Sequence, residues 1–293
     1  MKLQNVPLLL AVVLLWGSNY PLVKMALSYA SPSTLLLQRF LVSVAVMLPL
    51  FLILHKKLPR DIGTLAKLTI YCLIYVSINT AQVVGLVQGS SGIGAVITYT
   101  QPLFVLCLAA PFLKEKITAN KVLGAAVGFT GVTVLFLNKT GSFTIGSGLI
   151  LFFSAFLWAV SVIYYKRLLG HVDPFMAVFL QLALGSAVFM ALDLGMNSLT
   201  FPTNTQYVAI VLYSSAGGFA LGNILWLHLL RDEEATTLSS SALLVPAVAL
   251  LLGWIFLKEN FNLESFLGSA LTLGGVCLAN LSRNRSRSRN KNS

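Results

Sequence analysis

Charge is what this chain has little of. Charged residues fill 10% of its 293 positions and hydrophobic ones 57%, whereas soluble domains carry about 25% charged residues. An ordinary soluble fold is therefore excluded. Acidic residues number only nine and are nearly absent from the centres of the apolar runs. Asp193 lies near the end of one run, and Glu115 and Glu259 follow two others beside lysines. His228 is the one histidine inside a run, a turn from its end. A proton path through an apolar interior needs a titratable group there, so coupling through a buried carboxylate is not expected. Cys72, Cys107 and Cys277 all fall in apolar runs, without CxxC or Cys/His spacing. That pattern argues against a disulfide framework, a metal site or a metal cofactor, and no cofactor is expected.

What the chain does have is long apolar runs. A spanning helix needs about 20 apolar residues. Ten segments qualify, at roughly 6–27, 33–54, 64–88, 93–113, 119–137, 145–165, 174–195, 206–230, 236–257 and 262–281. The reading is an all-α polytopic membrane protein of ten transmembrane helices embedded in a lipid bilayer. Its connections are too short for a separate soluble domain. The first run is long and lacks a small-residue cleavage site, so it reads as a retained span and not a signal peptide.

The segments repeat. Pro102 matches Pro246, Lys114-Glu115 matches Lys258-Glu259, and Asn79 matches Asn223, each pair 144 residues apart. Gly124 and Gly131 match Gly268 and Gly275 at the same offset. Earlier in each half the offset is 142, for Trp16 with Trp158 and Pro32 with Pro174. The division is a five-helix repeat at 1–138, a second at 139–282, and a basic tail at 283–293. Two similar units with an odd number of spans must cross the membrane in opposite senses, which makes the repeat inverted. Ten spans put both termini on one side. Lys56, Lys57, Arg60, Lys114, Lys116, Lys121, Lys166, Arg167 and Arg231 share it with the tail, and only Lys24, Lys139 and Lys258 face the other. Positive loops stay cytoplasmic, so both termini are expected in the cytoplasm and the chain in the cell membrane. No base-stacking aromatics interleave the tail arginines, so the tail reads as a lipid-facing anchor and not a nucleic-acid site.

Polar groups within a bilayer are costly unless they face protein or water, so they point to a pathway. The first helix carries Trp16, Asn19 and Tyr20, with Pro21 as a bend or hinge. Arg39 lies seven residues beyond Pro32, roughly 10 Å inside the second span at about 1.5 Å per residue. It either meets an anionic substrate group, such as a carboxylate, or snorkels. Gln181 occupies the matching place in the second half. Asn79, Gln82, Asn223 and Trp226 form a second candidate set, and Trp158 mirrors Trp16. Pro102 and Pro246 are matched hinges, with Tyr99, Gln101 and Ser240 around them. Gly124, Gly128, Gly131, Gly268, Gly274 and Gly275 allow close packing, as scaffold or across a homodimer contact. Asn138-Lys139-Thr140 forms a sequon too close to a membrane end to carry weight.

The stretch LLWGSNYPLVKMAL, the QRF of the second span and the twice-used FLKE…G…G pattern resemble EamA-type members of the drug/metabolite transporter superfamily. The resemblance covers nearly the whole chain. It implies ten spans, a central cavity walled by helices 1–4 and 6–9, and export or exchange of amino acids, other metabolites or drugs. It also implies that Glu115 and Glu259 act as pins near the membrane surface. Trp158-Ala159-Val160-Ser161 departs from the pattern by lacking a proline. No paired basic residues stand deep in a late span, as a phosphate-bearing substrate would need. A small amphipathic organic solute is the better match. A passive channel or facilitator is the closer rival, and a non-transporting scaffold is a third reading. A remote rival is an intramembrane serine protease using Gly89-Ser90-Ser91-Gly92 with His228 as base.

Overall fold

The computed structural model describes residues 3–55, 59, 61–113, 119–137, 144–195, 200–259 and 262–289. Among these residues no strand occurs. The helices are α1 (Val6–Ala26), α2 (Pro32–Ile53), α3 (Ile62–Val87), α4 (Ser91–Thr98), α5 (Gln101–Leu113), α6 (Ala119–Leu137) and α7 (Ile145–Tyr164). They continue as α8 (Pro174–Gly195), α9 (Thr205–Tyr213), α10 (Gly222–Asp232), α11 (Ala235–Ser241), α12 (Leu244–Leu257) and α13 (Leu263–Arg289). π-Helical turns extend α7 over Tyr165–Leu169 and join α9 to α10 over Ser214–Leu221. Each apolar segment read from the sequence falls largely on helix, and two of them, 93–113 and 236–257, are each broken into two helices.

Seven of these helical stretches are long and apolar enough to cross a membrane, and Val122–Val134 and Leu244–Leu257 are shorter apolar helices. Large apolar side chains such as Leu52, Phe153, Leu212, Trp254 and Phe266 are exposed on the outer surface. Water would penalise such a surface and lipid does not. The chain is a multi-pass membrane protein.

Helix starts follow local chemistry. Ser31, Thr144 and Asn204 accept hydrogen bonds from the orphan N–H groups of their first turns, as N-caps do. Asp61 caps α3 through the Thr64 N–H at 2.7 Å. Hydrogen bonds from the Thr64 side chain and backbone hold its carboxyl below the ordinary range. Pro102 and Pro246 each follow a break, at Tyr99–Thr100 and at Ala242–Leu243. A proline ring clashes with the carbonyl four residues earlier, here those of Thr98 and Ala242. Pro21 instead sits within unbroken α1.

In the packing, α1 lies against α12 and α10, α2 against α8, α3 against α7, and α4 against α12. Helices α6 and α13 form a pair of their own, touching α5, α4 and α11. Their glycines meet inside the chain. A Cβ on Gly275 would lie 2.2 Å from the Gly128 nitrogen, and one on Gly131 would lie 2.4 Å from the Thr272 nitrogen. Several features fall outside the described residues: Lys56, Lys57, Arg60, Lys114, Glu115, Lys116, the boundary at 138/139 and the Asn138-Lys139-Thr140 triplet. The side chains of Lys121, Ser240 and the tail at 283–293 do as well.

Candidate functional site

Three tryptophans from three helices converge. Trp16 of α1 lies 5.5 Å from Trp158 of α7 and 5.2 Å from Trp226 of α10, and Trp158 lies 5.9 Å from Trp226, centroid to centroid. Tyr99 adds a T-shaped contact to Trp158 at 5.2 Å, and Tyr20 packs on Tyr99 at 6.5 Å. Edge-to-face contacts of this kind contribute about 0.5–1.5 kcal/mol each beyond area burial. Trp16 fits because position 222 is glycine: a Cβ there would lie 2.6 Å from its indole nitrogen. That nitrogen donates to the Gly218 carbonyl at 3.1 Å. Gly218 lies in the π-helical turn, whose wider winding frees carbonyls from the regular ladder. Asn223 uses the same turn, donating to Phe219 O at 2.9 Å and to the Tyr75 hydroxyl at 2.9 Å.

These aromatics wall a cavity of about 70 Å3 inside the bundle. Trp16, Asn19 and Tyr20 line it from α1, Asn79 and Gln82 from α3, and Tyr99 from the break after α4. Trp158, Asn223 and Trp226 close the opposite walls. Both halves of the chain therefore contribute. The other expected residues stand behind the walls or elsewhere. Arg39 is 2% exposed and is not a wall residue; its Nη2 donates to Asn19 Oδ1 at 3.2 Å. Gln181 is buried and reaches the Tyr71 hydroxyl. Gln101 donates to Ser239 Oγ at 3.3 Å, tying α5 to α11.

Tyr71, Tyr75, Ser161 and Phe219 also line the cavity and were not singled out from the sequence. For the tyrosines a signal existed. Tyr71, Tyr75 and Asn79 recur every four residues, which places them on one helical face. Phe219 carried no such signal, because the π-helical turn shifts the register that a 3.6-residue repeat assumes.

A larger groove of about 510 Å3 lies between α1, α9 and α12, lined by Pro21, Leu22, Met25, Ile210, Leu252 and Phe256. It is almost wholly apolar and opens on the outer surface beside exposed Phe256. The smaller central cavity holds the convergent polar groups that a recognition site needs.

Both ends of the bundle are tied across helices. At one end Lys24 Nζ donates to the carbonyls of Leu86 (2.7 Å) and Val87 (2.9 Å) at the close of α3. Beside it Glu259 accepts from Ser90 Oγ (2.8 Å), Ser91 N (2.6 Å) and Gly92 N (3.2 Å) at the start of α4. A cation thus sits at a helix C-terminus and an anion at an N-terminus, each matching the local dipole. At the opposite end Lys166 Nζ donates to Leu230 O at 3.2 Å and to Glu233 O. Asn5 donates to the Glu233 carboxylate there at 2.9 Å. Lys166 follows Lys24 by 142 residues and Leu230 follows Leu86 by 144, the offsets at which the halves correspond.

The sequence profile of the EamA-like transporter family matches twice, over residues 5–137 and 146–281. The chain belongs to the EamA-like transporter family. It is 29% identical to the uncharacterized transporter YvbV of Bacillus subtilis over 95% of this chain and 92% of that protein. It is also 29% identical to an uncharacterized transporter of Archaeoglobus fulgidus, over 90% of this chain and 94% of that one. A chain of known crystal structure shares the fold, with a TM-score of 0.73 at 18% identity over 97% of this chain and 99% of the other. As an EamA-like transporter the protein is not an enzyme. The serine-protease alternative also has no geometry to support it. Ser91 is fully buried at the start of α4, whereas His228 is exposed on α10.

Proposed function

We propose that this protein carries small amphipathic metabolites, amino acids among them, by alternating access around the central cavity. The observation that carries the reading is a polar, aromatic-walled cavity between the two halves with cross-helix ties at both ends. The cavity is about 70 Å3, room for a few waters at about 30 Å3 each. A metabolite enters only if the walls part. That favours a carrier moving between states over an open pore. The wall chemistry suits a zwitterion. The Asn19 amide Nδ2 points away from Arg39 and can donate, and the side-chain oxygens of Asn79 and Asn223 can accept. Tyrosine and tryptophan faces would take the apolar body.

On this reading the chain is two inverted five-helix repeats, 1–138 and 139–282, making ten spans in the cell membrane with both termini cytoplasmic. Exchange of conformations between the halves generates an outward and an inward state. The breaks before Pro102 and Pro246 are the hinges, and the protein acts as an exporter or exchanger.

The test is uptake of a radiolabelled amino-acid mixture into proteoliposomes. Flux should saturate and should rise when unlabelled mixture is loaded on the far side. Trp226→Ala, which removes a central wall, is expected to lower flux roughly tenfold or more while the protein stays folded. Linear flux without trans-stimulation would point to a channel and reject the carrier.

A further inference from the structure

We infer that the cavity selects solutes bearing a negatively charged group, and that Arg39 imposes this choice from behind the wall through Asn19. This rests on the transport reading and narrows its substrate class.

Arg39 is a cation buried in the apolar interior without a carboxylate beside it among the described residues. Its Nη2 donates to Asn19 Oδ1 at 3.2 Å, and its guanidinium carbon lies 3.9 Å from the Phe219 ring centre. Its Nε is buried with no hydrogen-bond partner. No carboxylate pairs with it among the described residues. Burying an uncompensated charge is expensive, and replacing Arg39 by a neutral residue would remove that expense. Asn19 and Phe219 are both cavity walls, as is neighbouring Tyr75, while Tyr207 approaches Arg39 from outside the cavity. An arginine only donates, so the Asn19 oxygen faces Arg39 and its amide hydrogens face away. Arg39 thus fixes Asn19 as a donor and polarises it. No acidic residue is among those lining the cavity. A solute anion hydrogen-bonded to Asn19 Nδ2 would sit across the amide, roughly 6–8 Å from the cation. At an effective dielectric of about 20, a unit charge at that distance changes affinity by roughly thirty- to a hundredfold. The aromatic walls by themselves would favour the opposite charge, so rank order separates the two influences.

The test uses 3-phenylpropionate, 3-phenylpropanamide and 3-phenylpropylamine, which share a body and differ in charge. Quenching of tryptophan fluorescence reads binding, in a Trp254→Phe background that leaves Trp16, Trp158 and Trp226. The carboxylate should bind at least tenfold tighter than the amide, and the amine most weakly. Arg39→Gln should erase the preference and Arg39→Lys should keep part of it. Asn19→Ala should also weaken the carboxylate selectively. The melting temperature of Arg39→Gln should be unchanged or higher, since a purely structural arginine would lower it on removal. Equal binding of the three probes, tighter binding of the amine, no binding of the carboxylate, or a preference that survives in Arg39→Gln would each overturn the inference. Saturable flux in proteoliposomes would still stand in those cases, so the two readings fail separately.

Discussion

On the alternating-access proposal, Glu259→Ala should favour a state open at the Lys24 end and lower flux roughly tenfold or more. The carboxylate holds one hydroxyl and two backbone N–H groups at the start of α4. Hydrogen bonds to a charged group contribute about 1.5–3 kcal/mol each. Losing them non-additively removes a few kcal/mol from the closed arrangement, enough to shift a two-state equilibrium by a factor of about a hundred. Lys24→Ala should act in the same direction, because it releases the end of α3 in the same hairpin. Lys166→Ala should act in the opposite direction, because it frees the end of α10 at the other face. The readout is labelling of Gln82→Cys by an impermeant maleimide applied from each side, with Cys72, Cys107 and Cys277 replaced by alanine. Labelling from the Lys24 side should rise in Glu259→Ala and Lys24→Ala and fall in Lys166→Ala. Identical labelling in all three variants would mean that these contacts are fixed struts.

The second large effect is structural. Gly275→Leu is expected to prevent normal assembly of α6 with α13. Even a Cβ at position 275 would lie 2.2 Å from the Gly128 nitrogen and 2.6 Å from the Gly124 carbonyl oxygen. These neighbours are backbone and cannot turn aside as a side-chain tip can. Overpacking ordinarily costs about 1–3 kcal/mol, and separating two helix backbones should exceed that. Folded yield by size exclusion and melting temperature should both fall sharply. Gly274→Leu is the control, because nothing lies within 4 Å of a Cβ there, and it should leave both nearly unchanged. If the two substitutions behave alike, the α6–α13 contact is not as close as described. The pair uses its small residues within the chain, so membrane packing without a hydrophobic drive between helices still has close dispersion contacts to hold it.

Much of this architecture could be read from residue order alone. Apolar run length reports helix in lipid directly, since no other open backbone arrangement satisfies its hydrogen bonds there. The two breaks were legible for a similar reason: Pro102 and Pro246 act on their own preceding turn. The aromatic and amide residues of the cavity, Trp16, Asn79 and Trp226 among them, stood out because such groups are rare at mid-span. Tertiary structure decided what long-range approach controls. It placed Arg39 behind Asn19 and not on the wall, and it set Gln181 and Gln101 out of the cavity. It brought Lys24 and Glu259, 235 residues apart, to one hairpin, because helix-end carbonyls and amides are charged only where chain turns leave them unpaired. The π-helical turn at Ser214–Leu221, which supplies carbonyls for Trp16 and Asn223, has no period in the sequence to announce it. Hydropathy is a property each residue carries with it, whereas partner choice depends on which helix faces meet.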